Sequence, residues 1–134
     1  MSHTFVKVET SKAPKAIGPY SQGVIVKADS TMVYVSGQLP IDPNTGDIVQ
    51  GDIRDLTNRV LDNIEAILLA SKSSFDKVVR VDIFLKDLKN DFAAMNEEYA
   101  KRFTSSVLPA RQTIQVSELP KGSPIEISCI AMSN

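Results

Sequence analysis

The chain has no tryptophan, one cysteine and one histidine among its 134 residues, and aromatic side chains make up only 6% of it. Cys129 alone cannot form an intramolecular disulfide, so packing must hold the fold, and a reducing compartment is the natural setting. His3 and Cys129 are too few for a His/Cys zinc site, which leaves an all-carboxylate cluster as the one metal arrangement the composition permits; no metal is expected. Charge of one sign is also missing. Fifteen basic and sixteen acidic residues give a net charge of -1, and neither sign gathers into a run able to track a phosphate backbone. Nucleic acid is therefore not expected as a partner. No stretch approaches the roughly 20 apolar residues of a membrane span, and Met1 to Glu9 lacks the apolar run of a signal peptide. Neither a membrane nor export is indicated, and a cytoplasmic location follows as the expectation.

What is present is the composition of an ordinary globular protein, 43% hydrophobic and 23% charged, at a length that predicts one domain over residues 1–134. Phe5 to Glu9 reads as a short strand. Ser11 to Tyr20 carries two prolines and a glycine and reads as a long loop. Val24 to Ala28 and Met32 to Ser36 flank Asp29-Ser30-Thr31, which predicts a β-hairpin. Asp42-Pro43-Asn44-Thr45-Gly46 has turn chemistry.

From Asp52 to Ser71 the period changes: Ile53, Leu56, Val60, Leu61, Ile64, Ile67 and Leu68 form one apolar stripe, predicting a helix. Val79, Val81, Ile83 and Leu85 alternate with polar or aromatic neighbours, predicting a strand with one buried face. Phe92, Met95, Tyr99 and Phe103 then recur at helical spacing, with Asn90 or Asp91 available as N-cap, and this aromatic stripe reads as core packing. Ala110 to Val116 and Ile125 to Met132 complete the order ββ(β)αβαββ. Such an order implies an α+β fold with a single mixed sheet and both helices on one face. The other face needs a cover, and a symmetric oligomer supplies one.

Two charges stand out on these strands. Arg111 lies in Leu108-Pro109-Ala110-Arg111-Gln112-Thr113-Ile114, and Glu126 in Pro124-Ile125-Glu126-Ile127-Ser128-Cys129-Ile130. A charge on a half-buried strand needs a partner or a ligand, so two readings stay open. The pair is a structural salt bridge or a solvent-facing couple, or Arg111 grips a substrate carboxylate while Glu126 orients or deprotonates a water. Tyr20 could wall a pocket or merely pack on a turn, and Gly37 could admit a ligand to the backbone or simply make a turn. Thr113 shares the face of Arg111 by the period of two.

The segments taken jointly resemble the RidA family, also called YjgF, of reactive-intermediate imine and enamine deaminases. The resemblance rests on Pro14 to Gly23 (PKAIGPYSQG), Tyr34 to Pro40 (YVSGQLP), Asp42 to Gly46, Leu61-Asp62-Asn63-Ile64, Val81 to Leu88 (VDIFLKDL), Asp91 to Asn96 (DFAAMN), Pro109-Ala110-Arg111, and Leu119-Pro120-Lys121 leading to Ile125-Glu126-Ile127. It implies a chorismate-mutase-like homotrimer with active sites between subunits and no cofactor. The implied activity is that of a 2-iminobutanoate/2-iminopropanoate deaminase, hydrolysing 2-aminoacrylate and related imino acids to 2-oxo acids and ammonia. Position by position, it makes Arg111 the carboxylate-binding arginine, Glu126 the residue that positions water and Tyr20 a pocket tyrosine. Gly37 and Thr113 would line the cleft through backbone groups, and Asn96 would support it. Thr113 departs from the cysteine of many members, and Ala70-Ser71-Lys72-Ser73-Ser74 lacks the glycine common after the first helix. Two other classes of function compete: a trimer that binds 2-oxo or amino acids without turnover, and a ribonuclease or translation inhibitor, which the charge balance disfavours.

Overall fold

A computed structural model describes residues 5–134, so His3 lies outside the described residues. Six strands and two helices follow in the order β1 (Phe5–Val8), β2 (Gly23–Val26), β3 (Thr31–Gln38), α1 (Ile53–Ala70), β4 (Val78–Leu85), α2 (Leu88–Arg102), β5 (Ala110–Gln115) and β6 (Ile125–Ser133). The α+β class and the strand and helix order agree with the sequence reading.

The sheet arrangement differs from it in two respects. The mixed sheet has four strands in the order β3-β6-β4-β5, parallel only between β4 and β5, while β1 and β2 form a separate antiparallel ribbon. The hairpin predicted between β2 and β3 is therefore absent: β2 pairs with β1, and β3 with β6. The reason lies in side-chain burial. Val24 and Val26 on β2, with Phe5 on β1, pack against Val79, Ile130 and Met132 on the sheet face away from the helices. Crossing that face removes these side chains from water, which lying flat beside β3 would not do. The ribbon thus covers part of the face expected to be bare, while Tyr34 and Ile114 remain exposed on it.

Both helices pack on the opposite face. The α1 stripe of Leu56, Val60, Leu61, Ile64 and Leu68 joins Met95 and Tyr99 of α2 over Val81, Ile83, Ile127 and Cys129. Asp52 caps α1 in a reciprocal box with Asp55, which explains why the helix begins at Ile53. The second helix starts earlier than Asn90 or Asp91 would allow, because Asp87 is its N-cap and accepts from the Asn90 backbone N–H. An irregularity between Val78 and Arg80 turns Val79 out of line with Val81, so Val78 enters the main core and Val79 the cluster under the ribbon.

One carboxylate is buried between the helices. Glu98 of α2 accepts from Asn58 Nδ2 and Arg54 Nη1, each at 2.9 Å, and from Lys101 Nζ at 3.1 Å. These donors, Asn58 foremost, lower its pKa to about 2. The cluster pins α2 to α1.

Candidate functional site

Arg111 sits on edge strand β5 in register with Val81 of β4, and Thr113 with Ile83, so both face the helices as the two-residue period predicts. The guanidinium reaches α2. Its Nη1 donates to Asn96 Oδ1 at 2.7 Å, and its carbon stands 4.8 Å from the Tyr99 ring centroid and 5.7 Å from that of Tyr20. Among the described residues no carboxylate pairs with it. Burial pulls its pKa down and the two tyrosines push it back, yet a guanidinium stays charged at any ordinary pH. The site therefore holds a partly desolvated cation whose compensation is two aromatic faces and one amide oxygen, which leaves donors unspent for an anion.

Tyr20 is brought here by its neighbour. Ser21 donates through its backbone N–H to the Pro109 carbonyl at 3.1 Å and through Oγ to the Leu108 carbonyl at 2.5 Å, tying the loop to the start of β5. Gln22 stiffens the same loop by donating to the carbonyls of Thr10, Ala13 and Pro14. The Tyr20 hydroxyl accepts from the Ile17 N–H at 3.2 Å, so its own proton stays available to a ligand. Gly18 lies against this ring; a β carbon there would stand 3.3 Å from Tyr20 Cε2 and 3.8 Å from Arg111 Nη2.

Glu126 is elsewhere. It pairs in register with Phe84 of β4, on the face away from the helices and three residues along from the level of Arg111. Its carboxylate has no hydrogen-bond or ion-pair partner among the described residues and leans over the backbone of Gly37, at the irregular end of β3. One chain thus brings Tyr20, Asn96, Arg111 and Thr113 together, and Gly37 with Glu126, but not the two groups with each other. The salt bridge left open by the sequence is not formed.

Tyr99 was legible only as a member of a core stripe, and the structure gives it a second position, under the guanidinium. It is fully buried and stacked on Phe103 at 4.2 Å, and its hydroxyl has no partner among the described residues; burial raises its pKa. Thr113 Oγ1 is likewise buried without a partner. The signal for Tyr99 was its spacing of three from Asn96, which puts both on one helix face. Cys129 is buried in the core with its pKa pushed up to about 12, so its thiol is not a nucleophile.

The chain is similar to known proteins over nearly all its length. A family profile described as endoribonuclease L-PSP matches residues 10–133. A RutC family protein of Pyrococcus abyssi is 52% identical over 91% of this chain and 92% of its own. The 2-iminobutanoate/2-iminopropanoate deaminase of Homo sapiens is 45% identical over 93% of this chain and 88% of its own. Among solved structures, E. coli TdcF with bound serine superposes with a TM-score of 0.72 at 40% identity, covering 96% of this chain and 98% of that one. Sequence, element order and these likenesses agree that the chain belongs to the endoribonuclease L-PSP family, the YjgF/RidA family.

Proposed function

We propose that the protein is a 2-iminobutanoate/2-iminopropanoate deaminase, hydrolysing small 2-imino acids, and 2-aminoacrylate after its tautomerisation to an imine, to 2-oxo acids and ammonia. The observation that carries this reading is the Arg111 guanidinium, half-buried and aimed by Asn96 and Tyr99, with no anion among the described residues to neutralise it. A substrate carboxylate fits that vacancy in charge and in its two-pronged geometry. The serine in TdcF is a carboxylate-bearing molecule of the same size class.

The second half of the chemistry is assigned to Glu126, whose carboxylate is unpaired and held over Gly37. Because Glu126 and Arg111 occupy opposite sheet faces of one chain, the reading requires a cleft built from two chains: Tyr20, Asn96, Arg111 and Thr113 from one, Gly37 and Glu126 from the next. A homotrimer of chorismate-mutase-like form meets that requirement and would cover the exposed Tyr34 and Ile114.

In such a cleft the imino acid docks its carboxylate on Arg111, which sets the C=N carbon before a water held by Glu126. Glu126 takes a proton as the water oxygen bonds to carbon, and the C=N π electrons move to nitrogen. The proton returns through Glu126 to that nitrogen, giving the neutral carbinolamine. A second transfer through Glu126 then carries the carbinolamine hydroxyl proton to the amine, the oxygen electrons form the C=O bond as the C–N bond breaks, and ammonia leaves a 2-oxo acid. Free imines hydrolyse unaided, so the barrier need fall only modestly, which suits a site with few groups. A site that merely bound carboxylates would gain nothing from a second negative charge. The nuclease activity in the family's description is not adopted, since fifteen basic residues are offset by sixteen acidic ones.

The test couples a serine or threonine dehydratase to this protein and follows decay of the enamine or imine. Faster decay that is lost in Arg111→Ala is the expected result. No acceleration, or equal acceleration by that variant, removes the deaminase reading.

A further inference from the structure

Arg59 on α1 is a second arginine without a described carboxylate partner, and it sits beside the irregular end of β3, the edge strand opposite the β5 of Arg111. Its Nη2 donates to Asn63 Oδ1 at 2.8 Å, its Nε is buried without a partner, and Nη1 makes no bond to any described residue. Asn63 in turn donates through Nδ2 to the carbonyls of Leu39 and Ile41 at 3.1 and 2.9 Å. Those two bonds fix the amide's orientation, so its oxygen must face Arg59. One side chain therefore clamps the loop after β3 onto the helix and holds the guanidinium in place.

Between loop and helix lies an open groove of about 420 Å³. Its walls are mostly apolar, with Leu39, Ile41 and Pro43 on one side and Ala66 and Ile67 on the other, Gly37, Gln38 and Asn63 completing it, and among the described residues Arg59 is its only charged one. No acidic side chain among the described residues lines it. A preset guanidinium with a free donor at the head of an apolar trough matches a small monocarboxylate that carries a short hydrocarbon tail. The clamp makes the trough preformed, so binding orders little that is not already ordered.

We propose that this groove is a second anion site, distinct from the Arg111 half-site, which takes an aliphatic monocarboxylate with its head on Arg59 and its tail along Ile41 and Ile67. The groove shares Gly37 with the Glu126 half-site, but the proposal does not depend on the deaminase reading, because the anion is held by Arg59 and not by Arg111.

Pentanoate is a suitable probe, followed by methyl NMR and calorimetry on the wild type, Arg111→Ala and Arg59→Gln. The expected result is shifts centred on the Ile41 and Ile67 methyls in both wild type and Arg111→Ala. The affinity read from the Ile41 and Ile67 shifts should fall about tenfold or more in Arg59→Gln, as the loss of one charge-assisted contact implies. The wild-type shift map needs no variant to fold. Absence of shifts at Ile41 and Ile67, loss of those shifts in Arg111→Ala, or undiminished affinity in Arg59→Gln each overturns the proposal. A changed oligomeric state in Arg59→Gln, with no pentanoate binding to the wild type, overturns it too and assigns the groove to a second copy of the chain.

Discussion

The Glu126 carboxylate occupies the space that any side chain at position 37 would need: a β carbon on Gly37 would stand 1.8 Å from Glu126 Oε2. No real contact is that short, so one of the two must move, and the end of a glutamate moves more easily than a strand. Gly37→Ala is therefore expected to leave the thermal midpoint nearly unchanged, within the roughly 0.5 kcal/mol of a typical tolerated substitution, while displacing the carboxylate. If Glu126 manages the water, imine hydrolysis falls by about tenfold or more, the low end of what a positioned proton-transfer group contributes. Unchanged turnover in a folded Gly37→Ala protein would show that the Glu126 position is irrelevant.

Tyr99 separates ring from hydroxyl. Its hydroxyl has no partner, so Tyr99→Phe should keep substrate affinity, and removing an unsatisfied buried group should be neutral for stability or gain about 1 kcal/mol. Tyr99→Leu removes the aromatic face 4.8 Å from the guanidinium, a contact worth about 1–2 kcal/mol when desolvated, so KM should rise about tenfold with kcat little altered. Steady-state kinetics on the two variants decide it. Equal KM in both would reduce Tyr99 to packing alone.

How far the sequence foretold this site depends on what strands disclose. The period of two placed Arg111 and Thr113 on one face, and apolar spacing with Asp52 ahead of it placed α1 to within a residue at each end. Neither pattern could relate Arg111 to Glu126. They lie on different strands, and the side of the sheet each faces is decided by register, which here runs through β4 by way of Val81 and Phe84. The β2–β3 hairpin failed for a related reason: turn residues at 29–31 predict a reversal but not which strand each arm pairs with. Tyr99 looked like core because it is core. Its position under Arg111 depends on how α2 packs against the sheet, a tertiary fact with no local signature.

The buried Glu98 makes a pH prediction. Its pKa is lowered from 4.5 to about 2 by Asn58, Arg54 and Lys101, so the native state holds its charge where the unfolded chain would already be protonated. The stabilisation is complete above 4.5 and is lost as pH falls through about 2. Urea unfolding across that window should show wild-type stability dropping more steeply than that of Glu98→Gln. Parallel curves would mean that the cluster does not stabilise the ionised form.

The turn after α1 offers a gain. Lys72 has φ of +59°, and the Ser73 N–H donates to the Leu68 carbonyl while the Lys72 N–H donates to that of Leu69, the helix-ending pattern that favours glycine at this position. A lysine in left-handed backbone costs about 1 kcal/mol, so Lys72→Gly should raise stability by about that amount, offset in part by the freer unfolded chain. Denaturant midpoints measure it, and the absence of any gain would mean that the lysine makes contacts which compensate for its backbone.

The division of the site between faces gives the sharpest test. Arg111→Ala and Glu126→Ala should each be inactive alone. If every cleft takes Arg111 from one chain and Glu126 from the next, unfolding the two variants together in equal amounts and refolding them makes mixed assemblies. A cleft is intact only where a Glu126→Ala chain supplies Arg111 and an Arg111→Ala chain supplies Glu126, so about one cleft in four recovers, whatever the number of subunits in the ring. Activity near a quarter of wild type is the expected outcome, with none when the folded variants are mixed without exchange. If both residues acted from the same chain, no mixture could contain an intact site and activity would stay at the background of the single variants. That outcome would require the strand register joining β4, β5 and β6 to be wrong, because it is this register that puts Arg111 and Glu126 on opposite faces.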